Sequence, residues 1–164
     1  MSNNLILNTA KIVDLKNISA QPETTIILDS ITTSVSLGTL TLDLKNVNNK
    51  VLLSGAIGFR FIASPLEELP ITDLGPLLLT ITSNGNDIYN ARMGETGVSI
   101  IVDYVGYNTL GFEWLDDPVT ASICDTEVVY EFILSVPDTI DLAESVVLDQ
   151  YEDYYSLTAM EIQE

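Results

Sequence analysis

Two groups of acidic residues are the first candidates for chemistry in this sequence. One group stands directly before Pro118 and the other lies in a tyrosine-rich segment near the C-terminus; together they comprise Asp116, Asp117, Asp149, Glu152 and Asp153. A hard cation such as Ca²⁺ takes about six to eight oxygen ligands, which loop carboxylates and backbone carbonyls supply. Neither group has the spacing of an EF-hand. The sequence therefore offers a calcium site as a hypothesis, with solvated acidic loops as the alternative.

Enzymatic chemistry has few residues to draw on. The chain has no histidine and a single cysteine, Cys124, which excludes a Ser-His triad, a histidine-ligated zinc ion and an internal disulfide. Two carboxylates could still hydrolyse a glycosidic bond, and the place for it is Glu113, beside Trp114 and close to Asp116 and Asp117. One tryptophan is few for a cleft that must hold sugars. We therefore predict that the protein is not an enzyme.

Aromatic residues beside polar segments form a third candidate site. Four of them define it: Trp114, Tyr151, Tyr154 and Tyr155. Aromatic rings with a polar edge are suited to binding a glycan or a partner protein. The alternative is that these rings cap the ends of a β-sandwich core.

The charge of the chain restricts its partners. The net charge is −18, and the residues from Met93 to Glu164 include 16 acidic residues and no lysine or arginine. Such a surface repels phosphate backbones and anionic membranes, so we expect no nucleic-acid partner. No run approaches the roughly 18 apolar residues of a membrane span, so we expect no membrane insertion.

The apolar residues follow the pattern of strands that must position these candidates. Val35–Leu44 alternates with a period of two, interrupted near Gly38 where a bulge is expected. Asn84-Gly85 between two apolar runs predicts a hairpin. Ser64–Pro76, with three prolines, predicts a loop, and Asp138–Leu148 has helix as an alternative to strand. Nine to ten strands in 164 residues predict one all-β domain, a jelly roll or β-sandwich of about 8–10 antiparallel strands.

The N-terminal segment is apolar and precedes a polar stretch that contains Pro22. We predict that residues 1–20 form an extension and residues 21–164 the jelly-roll domain. The extension could donate a strand to the sheet of a neighbouring subunit, through the apolar residues Leu5, Leu7, Ile12, Val13 and Leu15. Head-to-tail donation produces an open filament. The alternative is an ordinary first strand in the chain's own sheet.

Several strand motifs resemble a family of small jelly-roll proteins on Firmicute spore surfaces. Lys50–Phe61 is similar to the family's V-L-L-x-G-x-I/V-G strand, and Ile81–Tyr89 to its R-N-G-x-x-I/V-Y hairpin. The family includes exosporium proteins that resemble tumour necrosis factor or C1q, and subunits of endospore appendages. The resemblance implies self-assembly into trimers, shells or fibres, with an N-terminal extension joining appendage subunits. The sequence departs from the appendage pattern because its N-terminal segment contains no cysteine for covalent cross-links.

These observations lead to one principal expectation about function. We expect a self-assembling structural subunit of an extracellular fibre, appendage or spore-surface layer, exported without a Sec signal peptide and joined by N-terminal strand donation. One alternative is a lectin-like module that binds carbohydrate or a partner protein, either with or without calcium. Another is a phage virion surface protein. The expected partner in the principal reading is the protein itself.

Overall fold

Ten β-strands make up the described part of the chain. A computed structural model describes residues 11–64, 71–100, 102–118, 126–137 and 144–163, with the backbone alone for residues 71–76 and 95–100. The strands are β1 (Lys11–Ala20), β2 (Ile26–Leu28), β3 (Ser34–Asp43), β4 (Lys50–Ala63), β5 (Ile71–Ser83), β6 (Asn86–Ile100), β7 (Tyr104–Asp116), β8 (Glu127–Ser135), β9 (Glu144–Leu148) and β10 (Tyr155–Gln163). Leu5, Leu7 and Cys124 lie outside the described residues. None of the described segments is a helix long and apolar enough to cross a membrane.

The strands form two antiparallel sheets. The six-stranded sheet has the order β1-β10-β4-β9-β2, with β7 paired to β4 as well, and the four-stranded sheet has the order β3-β8-β5-β6. Without the short strands β2 and β9, eight strands remain. When these eight strands are renumbered 1 to 8 along the chain, the six-stranded sheet has the order 1-8-3-6 and the four-stranded sheet has the order 2-7-4-5. This is the arrangement of a jelly roll. The predicted all-β jelly roll is therefore confirmed.

The core lies between the two sheets. In β4, alternate side chains point inward and are buried, among them Leu53, Ile57 and Phe59. Phe112 of the six-stranded sheet meets Phe132 of the four-stranded sheet with ring centroids 5.8 Å apart. The period of two thus places one apolar face of each sheet against the other, which is the main source of stability in such a fold.

Two local predictions are confirmed at the level of the backbone. The ladder between β3 and β8 shifts register between Ser36 and Gly38, as expected for a bulge. Asn84 and Gly85 form the turn between β5 and β6 with φ values of 48° and 80°. Positive φ at both central residues is what a type I′ hairpin turn requires, and asparagine and glycine adopt it at low cost.

The predicted loop over Ser64–Pro76 is wrong in its second half. The strand β5 begins at Ile71 and includes Pro76. Pro76 is accommodated because the ladder with β6 is irregular between Leu74 and Leu77, where a missing N–H costs little. The helix alternative also fails over Glu144–Leu148, which is the strand β9.

The segment Lys11–Ala20 belongs to the sandwich itself. It forms β1, whose ladder with β10 runs from Lys11 opposite Gln163 to Ala20 opposite Tyr155. The predicted domain division at residue 20 therefore does not coincide with a break in the sheet. Ile12, Val13 and Leu15, predicted as donor residues, occupy the outer strand of the chain's own sheet.

Candidate functional site

An excursion between β9 and β10 builds the most elaborate polar site among the described residues. Both strands run antiparallel to β4, with Val147 opposite Arg60 and Tyr155 opposite Ile57. The chain advances eight residues along this path while β4 advances three, so the residues between the two strands, Asp149 to Tyr154, leave the ladder. The excursion stays against β4 because the Gly58 N–H donates to the Tyr154 carbonyl at 2.9 Å.

The excursion surrounds the side chain of Arg60 with carboxylates. Arg60 Nη2 lies 3.0 Å from Glu152 Oε2, 3.1 Å from Asp153 Oδ2 and 3.8 Å from Asp149 Oδ1. Its Nε donates to Asp153 Oδ2 at 3.1 Å, and its guanidinium lies over the ring of Tyr107, 5.3 Å from the centroid. We call Arg60 and its three carboxylates the arginine cluster. Only 12% of the Arg60 side chain is exposed.

The arginine cluster is held together by charge and by the backbone of the excursion. Burial acts to lower the pKa of Arg60, but the neighbouring carboxylates outweigh this effect and raise it above its ordinary value. The Asp149 N–H donates to Asp153 Oδ2 at 2.7 Å, and the Tyr151 N–H donates to Asp149 Oδ1 at 2.8 Å. The three carboxylates of the excursion are therefore joined in one ion-pair network around Arg60, with Glu152 on its exposed side.

The other predicted acidic group has a different environment. Asp116 lies at the end of β7, where its Oδ2 accepts a hydrogen bond of 2.8 Å from the buried Tyr130 hydroxyl. Burial raises the pKa of the Asp116 carboxyl, and the Tyr130 hydrogen bond only partly opposes this. Burial also raises the pKa of Tyr130. Glu113, considered above for glycoside hydrolysis, is exposed on the same strand.

The five acidic residues predicted as calcium ligands therefore do not form a single site. Asp116 is opposite Val51 on β4, and the arginine cluster is centred on Arg60, nine residues further along that strand. Nine residues of strand span about 30 Å. In the part of the chain that the structure describes, no group of three or more His, Cys, Asp or Glu residues is arranged to hold a metal ion. At Asp149, Glu152 and Asp153 a guanidinium supplies the positive charge.

The four predicted aromatic residues are also divided. Trp114 packs against Tyr89 with centroids 5.5 Å apart. The Tyr155 hydroxyl donates to the Leu37 carbonyl at 3.2 Å across the sandwich, as a core-capping residue would. Tyr151 and Tyr154 are exposed on the excursion. The aromatic residues thus do not form one surface, and only Tyr154 lines the groove beside the excursion.

That groove lies open to solvent on the outer face of the six-stranded sheet and has a volume of about 540 Å³. Ala56 and Gly58 of β4 lie at its base, and Tyr107 of β7 lines it together with Glu152 and Tyr154 of the excursion. We call it the tyrosine groove. Sequence reasoning overlooked Arg60, which orders the residues around it. The available signal was an arginine within β4, a strand whose other interior residues are uncharged.

The outer strands of the six-stranded sheet expose apolar residues. β1 pairs only with β10, and β7 pairs only with β4, among the strands that the structure describes. On β1, Ile12 is 57% and Leu15 49% exposed, and on β7 both Val105 and Leu115 are exposed. Unpaired strand edges with apolar side chains are surfaces that readily pair with another chain.

Comparisons with known proteins identify no family. No family model matches the chain, and no curated protein matches it. Among solved structures, T=1 particles derived from infectious bursal virus match at a TM-score of 0.43 and 9% identity, over 94% of this chain and 36% of that one. The VP2 subviral particle of infectious bursal disease virus matches at 0.40 and 8%, over 94% and 39%.

An α-L-arabinofuranosidase with bound arabinose also matches, at a TM-score of 0.34 and 11% identity, over 94% of this chain and 23% of the enzyme. The chain thus spans well under half the length of each of these proteins. With such low identities and TM-scores, neither the viral particles nor the glycosidase carries a functional argument for this chain.

Proposed function

We propose that the protein is a non-enzymatic structural subunit that assembles with copies of itself into an extracellular fibre, appendage or spore-surface layer. The observation that carries this proposal is the exposure of Val105 and Leu115 on β7, whose outer edge is paired with no other strand that the structure describes. An exposed apolar edge is a liability for a protein that stays monomeric, and covering it by a neighbour removes the liability.

The distribution of charge supports contact between the N-terminal segment and a second copy. Residues 1–20 contain two lysines and one aspartate, whereas the remainder contains four basic and 23 acidic residues. The N-terminal segment is thus the positive part of a strongly negative protein. Both lysines lie in β1, which stays on the chain's own sheet, and residues 1–10 have no acidic side chain. A contact made through residues 1–10 therefore adds no charge repulsion, whereas the negatively charged bodies repel one another.

The second copy would receive the segment that precedes β1. In this proposal β1 stays on β10, and residues 1–10, with Leu5 and Leu7, add a strand to the open edge of β7 in the next subunit. Ten extended residues reach about 33 Å, enough to cross to a neighbouring domain. Ile12, Val13 and Leu15 then serve the chain's own sheet. Because donor and acceptor surfaces differ, the contact repeats head to tail and gives an open assembly.

Deletion of residues 1–10 tests this proposal, because it leaves β1 intact. We expect the full-length protein to form filaments or sheets in negative-stain microscopy at about 0.15 M salt, where repulsion is screened beyond about 8 Å. The deletion variant should remain folded by circular dichroism and sediment as a monomer. Full-length protein that is monomeric at every salt concentration would refute self-assembly itself.

The acceptor strand is tested by Val105→Asp on β7, with Thr41→Asp on the exposed face of β3 as the matched control. The first substitution places a charge beside the proposed contact and should prevent assembly. The control adds the same charge elsewhere and should leave assembly unchanged. Assembly that survives both the deletion and Val105→Asp would show that subunits join by another surface.

A further inference from the structure

The tyrosine groove has the chemistry of a binding site that the assembly role does not use. Its volume of about 540 Å³ falls within the range of roughly 300–1,000 Å³ for small-molecule sites. Tyr107 is 70% and Tyr154 52% exposed, so two aromatic side chains are available to a ligand. They belong to different elements, β7 and the excursion, and both line the groove.

Both tyrosines are held in place before any ligand binds. Arg60 stacks on Tyr107, and Arg60 is itself fixed by Glu152 and Asp153. The Tyr154 hydroxyl forms a hydrogen bond with Ser19 Oγ of β1. Rings whose positions are already fixed lose little conformational entropy on binding, which favours affinity. A fixed aromatic ring offers its face to the flat apolar face of a sugar ring.

Polar groups surround these rings. The groove is lined by Asn108, Thr109 and Ser156, which bear amide and hydroxyl groups, and by the carboxylates of Glu152 and Asp153. Hydroxyl-rich ligands find hydrogen-bonding partners among such groups.

The charge around the groove selects among hydroxyl-rich ligands. The arginine cluster has three carboxylates and one guanidinium, so an excess of negative charge remains. The Glu152 side chain is the most accessible of the three, at 63% exposure. A ligand with carboxylate or sulfate groups is repelled, whereas an ammonium group is attracted to Glu152.

We propose that the tyrosine groove binds a saccharide that carries amino groups, such as a chain of glucosamine units. A sugar ring stacks on Tyr107, its hydroxyls bond to the polar side chains of the groove, and an ammonium group pairs with Glu152. This inference does not require self-assembly, because the ligand contacts side chains on the face of the sheet, whereas strand donation uses the backbone edge of β7.

Isothermal titration calorimetry of the full chain tests the ligand class. The probes are the hexamers of glucosamine, N-acetylglucosamine and galacturonic acid, with pentalysine as a cation that has no sugar ring. We expect glucosamine hexamer to bind at least tenfold more tightly than either N-acetylglucosamine hexamer or pentalysine, and galacturonic acid hexamer not to bind. Absence of glucosamine binding overturns the proposal, and so does equal binding of pentalysine, which would show attraction by net charge alone.

Variants of the groove test the assigned residues. Tyr107→Ala should weaken glucosamine binding at least tenfold, whereas Tyr107→Phe, which retains the ring, should bind within about twofold of wild type. Tyr151→Ala is the matched control, since Tyr151 is 77% exposed on the same excursion and does not line the groove. Glu152→Gln should reduce the preference for glucosamine over its acetylated form. Equal losses in Tyr107→Ala and Tyr151→Ala would overturn the assignment to this groove.

Discussion

Arg60 Nε donates a hydrogen bond of 3.1 Å to Asp153 Oδ2, although 93 residues separate the two in sequence. This contact fixes the excursion between β9 and β10 on β4, an interior strand of the six-stranded sheet. The excursion in turn reaches the end of β1 through Gln21, whose side-chain amide donates to the Tyr151 carbonyl at 3.0 Å. One ion pair therefore links the middle of the six-stranded sheet to its outer strand.

Replacement of Arg60 by leucine should destabilise the fold. The three carboxylates would repel one another without the guanidinium, and we expect the free energy of unfolding to fall by about 2–3 kcal/mol, below the usual cost for a fully buried pair because Glu152 is exposed. Urea denaturation at pH 7 measures the change. The control is Lys45→Met, which removes an exposed ion pair with Asp43 and should change stability by less than about 0.5 kcal/mol. Equal effects of the two substitutions would contradict the structural role of the arginine cluster.

The burial of Asp116 should give stability an unusual dependence on pH. Its pKa in the folded protein is raised above the ordinary 3.8. Between pH 3.8 and that raised pKa, the native state therefore binds more protons than the unfolded state. Stability from this group therefore falls as pH rises through that window and stays low above it. The melting temperature of Asp116→Asn should exceed that of wild type by more at pH 7 than at pH 3. Glu113→Gln on the same strand is the control, and a larger relative gain at pH 3 would refute the argument.

Tyr130→Phe should expose the cost of leaving Asp116 without its hydrogen-bond donor. At pH 7 the buried carboxylate loses the Tyr130 hydroxyl, and we expect a loss of about 1–3 kcal/mol in the free energy of unfolding. At pH 3 the neutral carboxyl tolerates the loss better, so the difference should shrink. Chemical denaturation at both pH values measures it. A penalty that is independent of pH would mean that the phenylalanine acts through packing alone.

The turn between β3 and β4 depends on a buried carboxylate. Glu161 Oε1 on β10 accepts a 2.7 Å hydrogen bond from the side-chain amide of Asn49 and a 2.8 Å bond from the Lys45 N–H. Asn49→Ala removes one donor to a fully buried carboxylate, so we expect a loss of about 1.5–3 kcal/mol. Asn48→Ala, at the exposed neighbouring position, should be nearly neutral in the same denaturation assay. Comparable losses in both would point to the turn backbone instead.

Gly55 and Gly111 form a matched pair for a packing test. A Cβ at Gly55 would lie 2.3 Å from the Ser156 carbonyl oxygen and 2.7 Å from the Phe112 ring, whereas one at Gly111 meets nothing within 4 Å. Gly55→Ala should therefore cost about 1–3 kcal/mol through overpacking, and Gly111→Ala should be tolerated. Thermal melting distinguishes the two. Tolerance of alanine at both positions would mean that β10 can move away from β4 without penalty.

Local sequence patterns were sufficient to predict most of the strands. Alternation over Val35–Leu44, the composition of Lys50–Ala63 and the Asn84-Gly85 turn depend only on neighbouring residues, because pleating and turn geometry are local properties. The prediction failed at Ile71–Pro76, since a proline in a strand is tolerated only where the partner strand leaves a gap in its hydrogen bonds. That gap is a property of the pairing with β6, which the local sequence does not contain.

The grouping of acidic residues shows the limit of the sequence more clearly. Asp149, Glu152 and Asp153 are close in sequence, and the sequence offered a calcium ion or solvent as their partner. In the structure Arg60 lies among them, and only the antiparallel alignment of β4 with β9 and β10 brings it there. Spacing along the chain tells which carboxylates are neighbours, but it carries no information about which distant cation faces them.

The sequence by itself therefore determined the all-β class, the strong negative charge and the strands with their turns, because each follows from composition or from short-range periodicity. Only the tertiary structure decided that Lys11–Ala20 lies in the chain's own sheet, that the predicted acidic and aromatic residues separate, and that Tyr107 and Tyr154 line one groove. These outcomes depend on the order and register of strands far apart in sequence. Order and register are set by the joint packing of both sheets, which no single segment specifies.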